Sequence, residues 1–114
     1  MNPADSPFVD AIRHVVTIRL EPDLDDSLRA PLEADLHQLV AEHPYAISAT
    51  LHRDLDRRPA APVTATWLVC MDFASMADFE SYLTDALHVD FLTTHQPSMT
   101  FITAMQVPLT DFTN

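Results

Sequence analysis

Arg13-His14-Val15-Val16-Thr17-Ile18-Arg19-Leu20 alternates between two kinds of side chain. His14, Val16, Ile18 and Leu20 share one face, and Arg13, Val15, Thr17 and Arg19 the other. This is the period-two pattern of a strand with one side in a core. It also puts an imidazole, that of His14, among the apolar residues of the inner side. Downstream, Glu21-Pro22-Asp23 ends the strand, and Leu24, Leu28, Leu32, Leu36, Leu39 and Val40 recur at helical spacing to about His43, where Pro44 stops the helix. Pro31 is best tolerated in a first turn, so the regular helix is expected from near Ala30, with Asp25 to Arg29 as a preceding turn or kinked start. His37 lies off the leucine stripe, and His43 is expected as an imidazolium favoured by the helix dipole.

Tyr45 to His52 alternates again, with Tyr45, Ile47, Ala49 and Leu51 inward, and predicts a second strand. Arg53 to Pro62 reads as a polar loop. Val63 to Phe73 is a third strand whose more apolar face carries Ala65, Trp67, Val69, Met71 and Phe73. Ser75 with Asp78 approximates a capping box, and it opens a helix with a buried stripe of Met76, Phe79, Tyr82 and Leu83. A second helical segment, from about Ala86 to Thr94, carries His88, Phe91, Leu92 and His95 along one side. Pro97 breaks it, and Thr100 to Val107 is the fourth strand. The order β-α-β-β-α-β predicts an α+β, ferredoxin-like four-stranded antiparallel sheet with its helices on one face. Strands that are apolar on both sides, as with Leu68 and Cys70 opposite Trp67 and Val69, predict a second copy over the other face and hence a homodimer. The expected division is a lead-in over 1–11, one domain over 12–108 and a tail over 109–114.

Composition narrows the chemistry. The 114 residues carry 17 acidic and 6 basic side chains, a net charge of −11, and every basic residue is an arginine. Such a surface repels phosphate backbones, so neither nucleic acid nor an anionic membrane is an expected partner. The chain has no glycine, which argues against a phosphate-binding loop, a dinucleotide fingerprint and a nucleophile elbow, each of which needs a residue without a side chain. Cys70 is alone, which excludes an intrachain disulfide and a C-x-x-C redox or zinc pair. Without a signal-like or membrane-length apolar run, a soluble cytoplasmic protein is expected. Arg53, Arg57 and Arg58 fall in one loop beside Asp54 and Asp56; they either meet an anionic group or are neutralised within the loop.

The candidate site is built on Phe79-Glu80-Ser81-Tyr82-Leu83-Thr84-Asp85-Ala86-Leu87-His88, which delivers a phenol and an imidazole six positions apart. A titratable pair on a buried stripe is a site signature, although each residue taken alone also fits a packing role. His95 follows His88 at helical spacing, but two histidines without a carboxylate make a poor zinc site, and no metal or other cofactor is expected.

From Arg13 to Val107 the chain resembles the stress-responsive dimeric α/β barrel (Dabb) family. The resemblance is carried by Arg13-His14-Val15-Val16 with Ile18 and Leu20, by the Trp67 to Phe73 strand, and by Phe79-Glu80-Ser81-Tyr82 leading to His88-Val89-Asp90-Phe91. It implies a homodimer in which two sheets pair face to face. Within the family, the polar positions are most similar to those of the olivetolic acid cyclase-like polyketide cyclases. That likeness implies Tyr82 and His88 as catalytic residues and matches His14 to their first-strand histidine. Trp67 stands where those cyclases have a histidine, and Leu36 where they have a tyrosine, so a different substrate is implied.

The functional expectation is therefore a cofactor-independent cyclase closing a small polyketide-like substrate in an apolar cavity. His88 serves as the base, Tyr82 hydrogen-bonds the imidazole or the enolate oxygen, and His14 orients substrate or the pair. Trp67, Leu36, Phe79, Met71 and Phe91 are the expected walls. Two alternatives stay open: a non-catalytic, stress-associated dimer that binds an apolar ligand, and a cofactor-free monooxygenase of aromatic polyketides.

Overall fold

The structure, a computed structural model, describes residues 10–55 and 65–109. Most of the expected lead-in, the start of the predicted third strand at Val63, the loop arginines Arg57 and Arg58 and most of the tail lie outside the described residues.

Strand β1 (Ile12–Leu20) buries His14, Val16, Ile18 and Leu20 on one side, as its alternation predicts. Helix α1 (Asp26–Glu42) follows, then β2 (Ser48–Arg53), β3 (Trp67–Phe73), α2 (Met76–Thr84), α3 (Ala86–His95), a short 3-10 turn and β4 (Met99–Pro108). The strand order is β2-β3-β1-β4 with every neighbouring pair antiparallel. This is the ferredoxin-like sheet that the element order predicts. Leu32, Leu36 and Leu39 of α1, Phe79 and Tyr82 of α2 and Phe91 of α3 pack on Val16, Ile18, Val69, Met71 and Phe73 of the sheet. Each fully buried large side chain contributes about 1.5–3 kcal/mol relative to exposure.

Several local expectations are corrected. Helix α1 starts at Asp26, four residues before Ala30, because the Asp25 side chain accepts from the Ser27 N–H and caps the first turn. Pro31 then sits inside the helix, where it removes the bond its N–H would make to the carbonyl of Ser27. The strand expected from Tyr45 begins only at Ser48, and Ile47 is half exposed. The buried stripe of α2 narrows to Phe79 and Tyr82, with Met76 and Leu83 reaching solvent. Ser75 does cap that helix, its hydroxyl accepting from the Asp78 N–H at 3.1 Å.

Tyr82 and His88 belong to two helices. Asp85 adopts an extended ψ of 144° and serves as C-cap of α2 and N-cap of α3. Its N–H donates to the Tyr82 carbonyl at 3.1 Å, and its carboxylate accepts from the Leu87 N–H at 3.0 Å. Along one uninterrupted helix, six residues turn the chain by about 600°, which leaves two side chains about 120° apart. The break at Asp85 cancels that offset and brings the two rings together.

The open face of the sheet is more polar than its strands predict. Asp72, on β3, takes a two-pronged contact from Arg13 at 2.8 and 3.0 Å and a third bond from the Ser48 hydroxyl at 3.1 Å. The hydroxyls of Thr17 and Thr103 bond across the β1–β4 pair. Leu68 and Met105, on the same face, are exposed.

Candidate active site

Strand β1 holds His14 at 4% exposure, directly opposite Gln106 of β4. The Gln106 side-chain N–H donates to His14 Nδ1 at 2.8 Å. That nitrogen is thereby an acceptor, and the neutral ring carries its proton on Nε2. Burial, and secondarily the charge on a protonated His88, pushes the His14 pKa down to about 4. At neutral pH His14 is an uncharged donor.

His88, at the start of α3, shows the opposite polarity. Its Nδ1 lies 2.9 Å from the Leu83 carbonyl, which only accepts, so Nδ1 carries a proton and, in the neutral ring, the lone pair is on Nε2. The Tyr82 ring lies between the two histidines, 4.7 Å from His88 and 6.1 Å from His14 between centroids. Among the described residues nothing bonds the Tyr82 hydroxyl, so of its two expected partners the imidazole of His88 is not engaged, and the two rings meet at a tilt of 50°. Burial first, and the Asp85 charge second, raise the phenol's pKa, so it remains protonated.

His14, Tyr82 and His88 border one cavity of about 40 Å³ between the sheet and the helices. Leu36 and Phe91 line it too, as expected. Trp67, Phe79 and Met71 do not. Alternation assigns them to the inner side of their elements without fixing how far along the sheet they lie. Trp67 stands nearer the sheet's end, with Arg53 over its ring at 5.7 Å and His37 edge-on at 5.7 Å. Phe79 backs His14 at 4.9 Å, and Met71 is wholly buried. Val16, Ile18, Leu39, Val69, Leu92 and Ile102 complete the wall unanticipated. For the strand residues, the alternation that set His14 inward carried the signal.

Two other histidines depart from expectation. His43 is buried, its Nδ1 accepts from the Tyr45 N–H at 3.3 Å, and burial lowers its pKa, so it is neutral, not the expected imidazolium. It packs against Tyr82 at 4.9 Å, and its own buried Nε2 has no hydrogen-bond partner among the described residues. His95 does not line the cavity that His88 borders, and its Nε2 meets Asp35 of α1 at 2.7 Å. Among the described residues no cluster of three or more His, Cys, Asp or Glu side chains is placed to hold a metal ion. Nor does any described helix have the length and apolarity to cross a membrane.

This fold has relatives. The sequence matches the stress-responsive A/B barrel domain over residues 12–108, and the chain belongs to that family. No curated protein matches it. Among solved structures, a hydroxynitrile lyase from Passiflora edulis is similar at 19% identity, with a TM-score of 0.74 over 92% of this chain and 98% of the other. A dimeric ferredoxin-like protein of unknown function from Thermobifida fusca gives 21% identity and a TM-score of 0.71 over 87% and 91%. A Dabb family protein from Mesorhizobium loti gives 19% and 0.69 over 87% and 97%. At these identities the likeness speaks to fold.

Proposed function

We propose that the protein is a cofactor-independent acid–base enzyme that closes a ring in a small polyketide-like substrate by aldol or Claisen-type chemistry. One observation carries this reading: a free imidazole lone pair on His88, an imidazole N–H on His14 and an unbonded phenol on Tyr82 border one apolar cavity. His88 Nε2 removes a proton from carbon flanked by carbonyls. Tyr82 and His14 donate to the enolate oxygen, where a dry site makes such bonds most effective. The enolate carbon then attacks a second carbonyl of the same molecule; in an aldol closure the imidazolium of His88 returns its proton to the new alkoxide, and in a Claisen-type closure the alkoxide collapses to a ketone, expelling a thiolate that takes that proton.

A volume of about 40 Å³ is room for two or three waters, whereas a benzene-sized guest needs roughly 150 Å³. The cavity therefore takes the reacting carbonyl end, and the remainder of the substrate lies in the mouth beside Ile102, which is 37% exposed. The same size supports a second reading, reversible addition to a small carbonyl compound, a chemistry suggested by the hydroxynitrile lyase that shares the fold. Oxygenation of an aromatic guest loses its support from Trp67, which lies outside the cavity.

Conversion of poly-β-keto thioesters, compared with cleavage of small cyanohydrins, tests the two readings by product analysis. Turnover of the first class alone supports cyclisation. If neither class is turned over while an apolar ligand binds, the protein is a binding dimer. We infer pairing of two copies through the open face from the exposed Leu68 and Met105 there and from structural relatives described as dimeric. Light scattering should give about twice the chain mass of 12.8 kDa, and a monodisperse monomer would remove the barrel.

A further inference from the structure

At the far end of β1 a second, polar cleft of about 210 Å³ shares no lining residue with the histidine cavity. Arg19, Arg29 and Arg53, brought in from β1, α1 and β2, line it together. The remaining described arginine, Arg13, is held by Asp72. Arg53 bonds Glu33 at 3.3 Å, but neither Arg19 nor Arg29 has a carboxylate partner among the described residues. Both are half buried, and a guanidinium that gives up part of its hydration without a counter-charge is left uncompensated. Two acidic residues also border the cleft, Glu21 and Asp54, and Asp54 has an interaction of its own. With Glu33, which Arg53 bonds, the carboxylates match the three guanidiniums in number, yet among the described residues none of them pairs with Arg19 or Arg29.

A second observation points the same way. An adjoining hollow shares Arg53, Asp54, Ala65 and Thr66 with the cleft and is bordered by Trp67. The indole N–H of Trp67 is buried and has no acceptor. This donor lies beside Arg53, and the cleft that shares Arg53 is lined by Arg19 and Arg29, which have no carboxylate partner among the described residues; an oxygen-rich anion suits that set of donors.

We propose that this cleft binds the oxyanion of a small metabolite, a phosphoryl or carboxylate group gripped by Arg19 and Arg29 with Arg53 at its edge. Guanidinium is suited to this role because its planar fork matches the paired oxygens of either group. The site stands apart from the reaction proposed above and holds whichever chemistry the histidine cavity performs.

Trp67 is the chain's one tryptophan, and the Arg53 guanidinium lies over its ring, so its fluorescence reports on the cleft. Inorganic phosphate and acetate are titrated separately into the full-length protein, with sodium chloride holding ionic strength constant. The expected result is a saturable change in Trp67 emission with at least one of the two, the tighter one identifying the group. Arg19→Gln and Arg29→Gln should each weaken that binding by ~10-fold or more, since a charge-assisted bond is lost. Both variants should melt close to wild type in buffer free of either anion, because neither side chain has a carboxylate partner among the described residues. A response that follows ionic strength alone, or that survives in the double variant, would overturn the proposal. Stabilisation by the tighter of the two anions in thermal melts, present in wild type and lost in Arg29→Gln, is the second readout.

Discussion

On the open face of the sheet Asp72 is 9% exposed, and both its carboxylate oxygens are bonded, one to Arg13 and the other to Arg13 and Ser48. On the helix-covered face His14 is 4% exposed and has one nitrogen bonded, while the Tyr82 hydroxyl beside it has no partner among the described residues. Burial alone does not separate the two, since all three groups are largely out of water. They differ in completion. The open face carries a finished network that holds a shape, whereas the covered face keeps donors and an acceptor uncommitted around a small cavity, as a site for proton transfer requires.

The largest expected break in this contrast is catalytic. His88→Ala should abolish turnover while the protein stays folded, and Tyr82→Phe should lower the rate by ~10² to 10⁴, the range for one acid–base or oxyanion group. Rates and melting temperatures measured together decide it, because full activity in both variants would move the site elsewhere. Leu36→Ala comes next, and its expected cost is about 2–5 kcal/mol in urea unfolding from the enlarged cavity. A loss well under that range would mean that the wall collapses onto the space.

Acid should then separate the faces by pH window. The pKa of His14 falls to about 4 in the folded protein from 6.5, so the unfolded chain binds more protons between those values and stability falls as pH drops through that window. The loss should reach ~3 kcal/mol by pH 4. His43, whose pKa is also lowered by burial, adds to it. His14→Phe should flatten that part of the curve, and an unchanged slope would show that the window belongs to other groups. For Asp72 the bonds from Arg13 hold the carboxyl pKa below its usual 3.8. Its contribution is present above that value and is lost only as pH falls through the lower folded value. The smallest effect is thus Asp72→Asn, about 1 kcal/mol at pH 7, since the Arg13 side chain is 46% exposed and solvent screens the pair. An effect several times larger, growing with protein concentration, would place Asp72 at the contact between two copies.

The fold was legible because alternation and helical spacing are local. His14, Val16, Ile18 and Leu20 announce an inner face without reference to the rest of the chain. Pairing and depth are not local. Nothing near Gln106 in the sequence says that it meets His14 across two strands, and nothing near Trp67 says that it falls short of the cavity. Pro31 points to a start near Ala30, but the Asp25 cap outweighs it and begins α1 at Asp26. The place of His43 in a last turn points to an imidazolium, whereas the packing of Phe73 and Tyr82 around it decides its charge.

Asp85 has a consequence for how this chain tolerates change. One residue closes α2 and opens α3, so the angular phase of His88 relative to Tyr82 is set by the length of a joint with no slack. Adding or deleting a single residue there would rotate everything beyond it by about 100° and carry the imidazole off the cavity wall. Replacing Asp85 by Ser, Thr or Asn keeps an oxygen to cap α3 and leaves that phase intact. Sequence drift at this position should therefore run through substitution, with insertions and deletions confined to the surface loops.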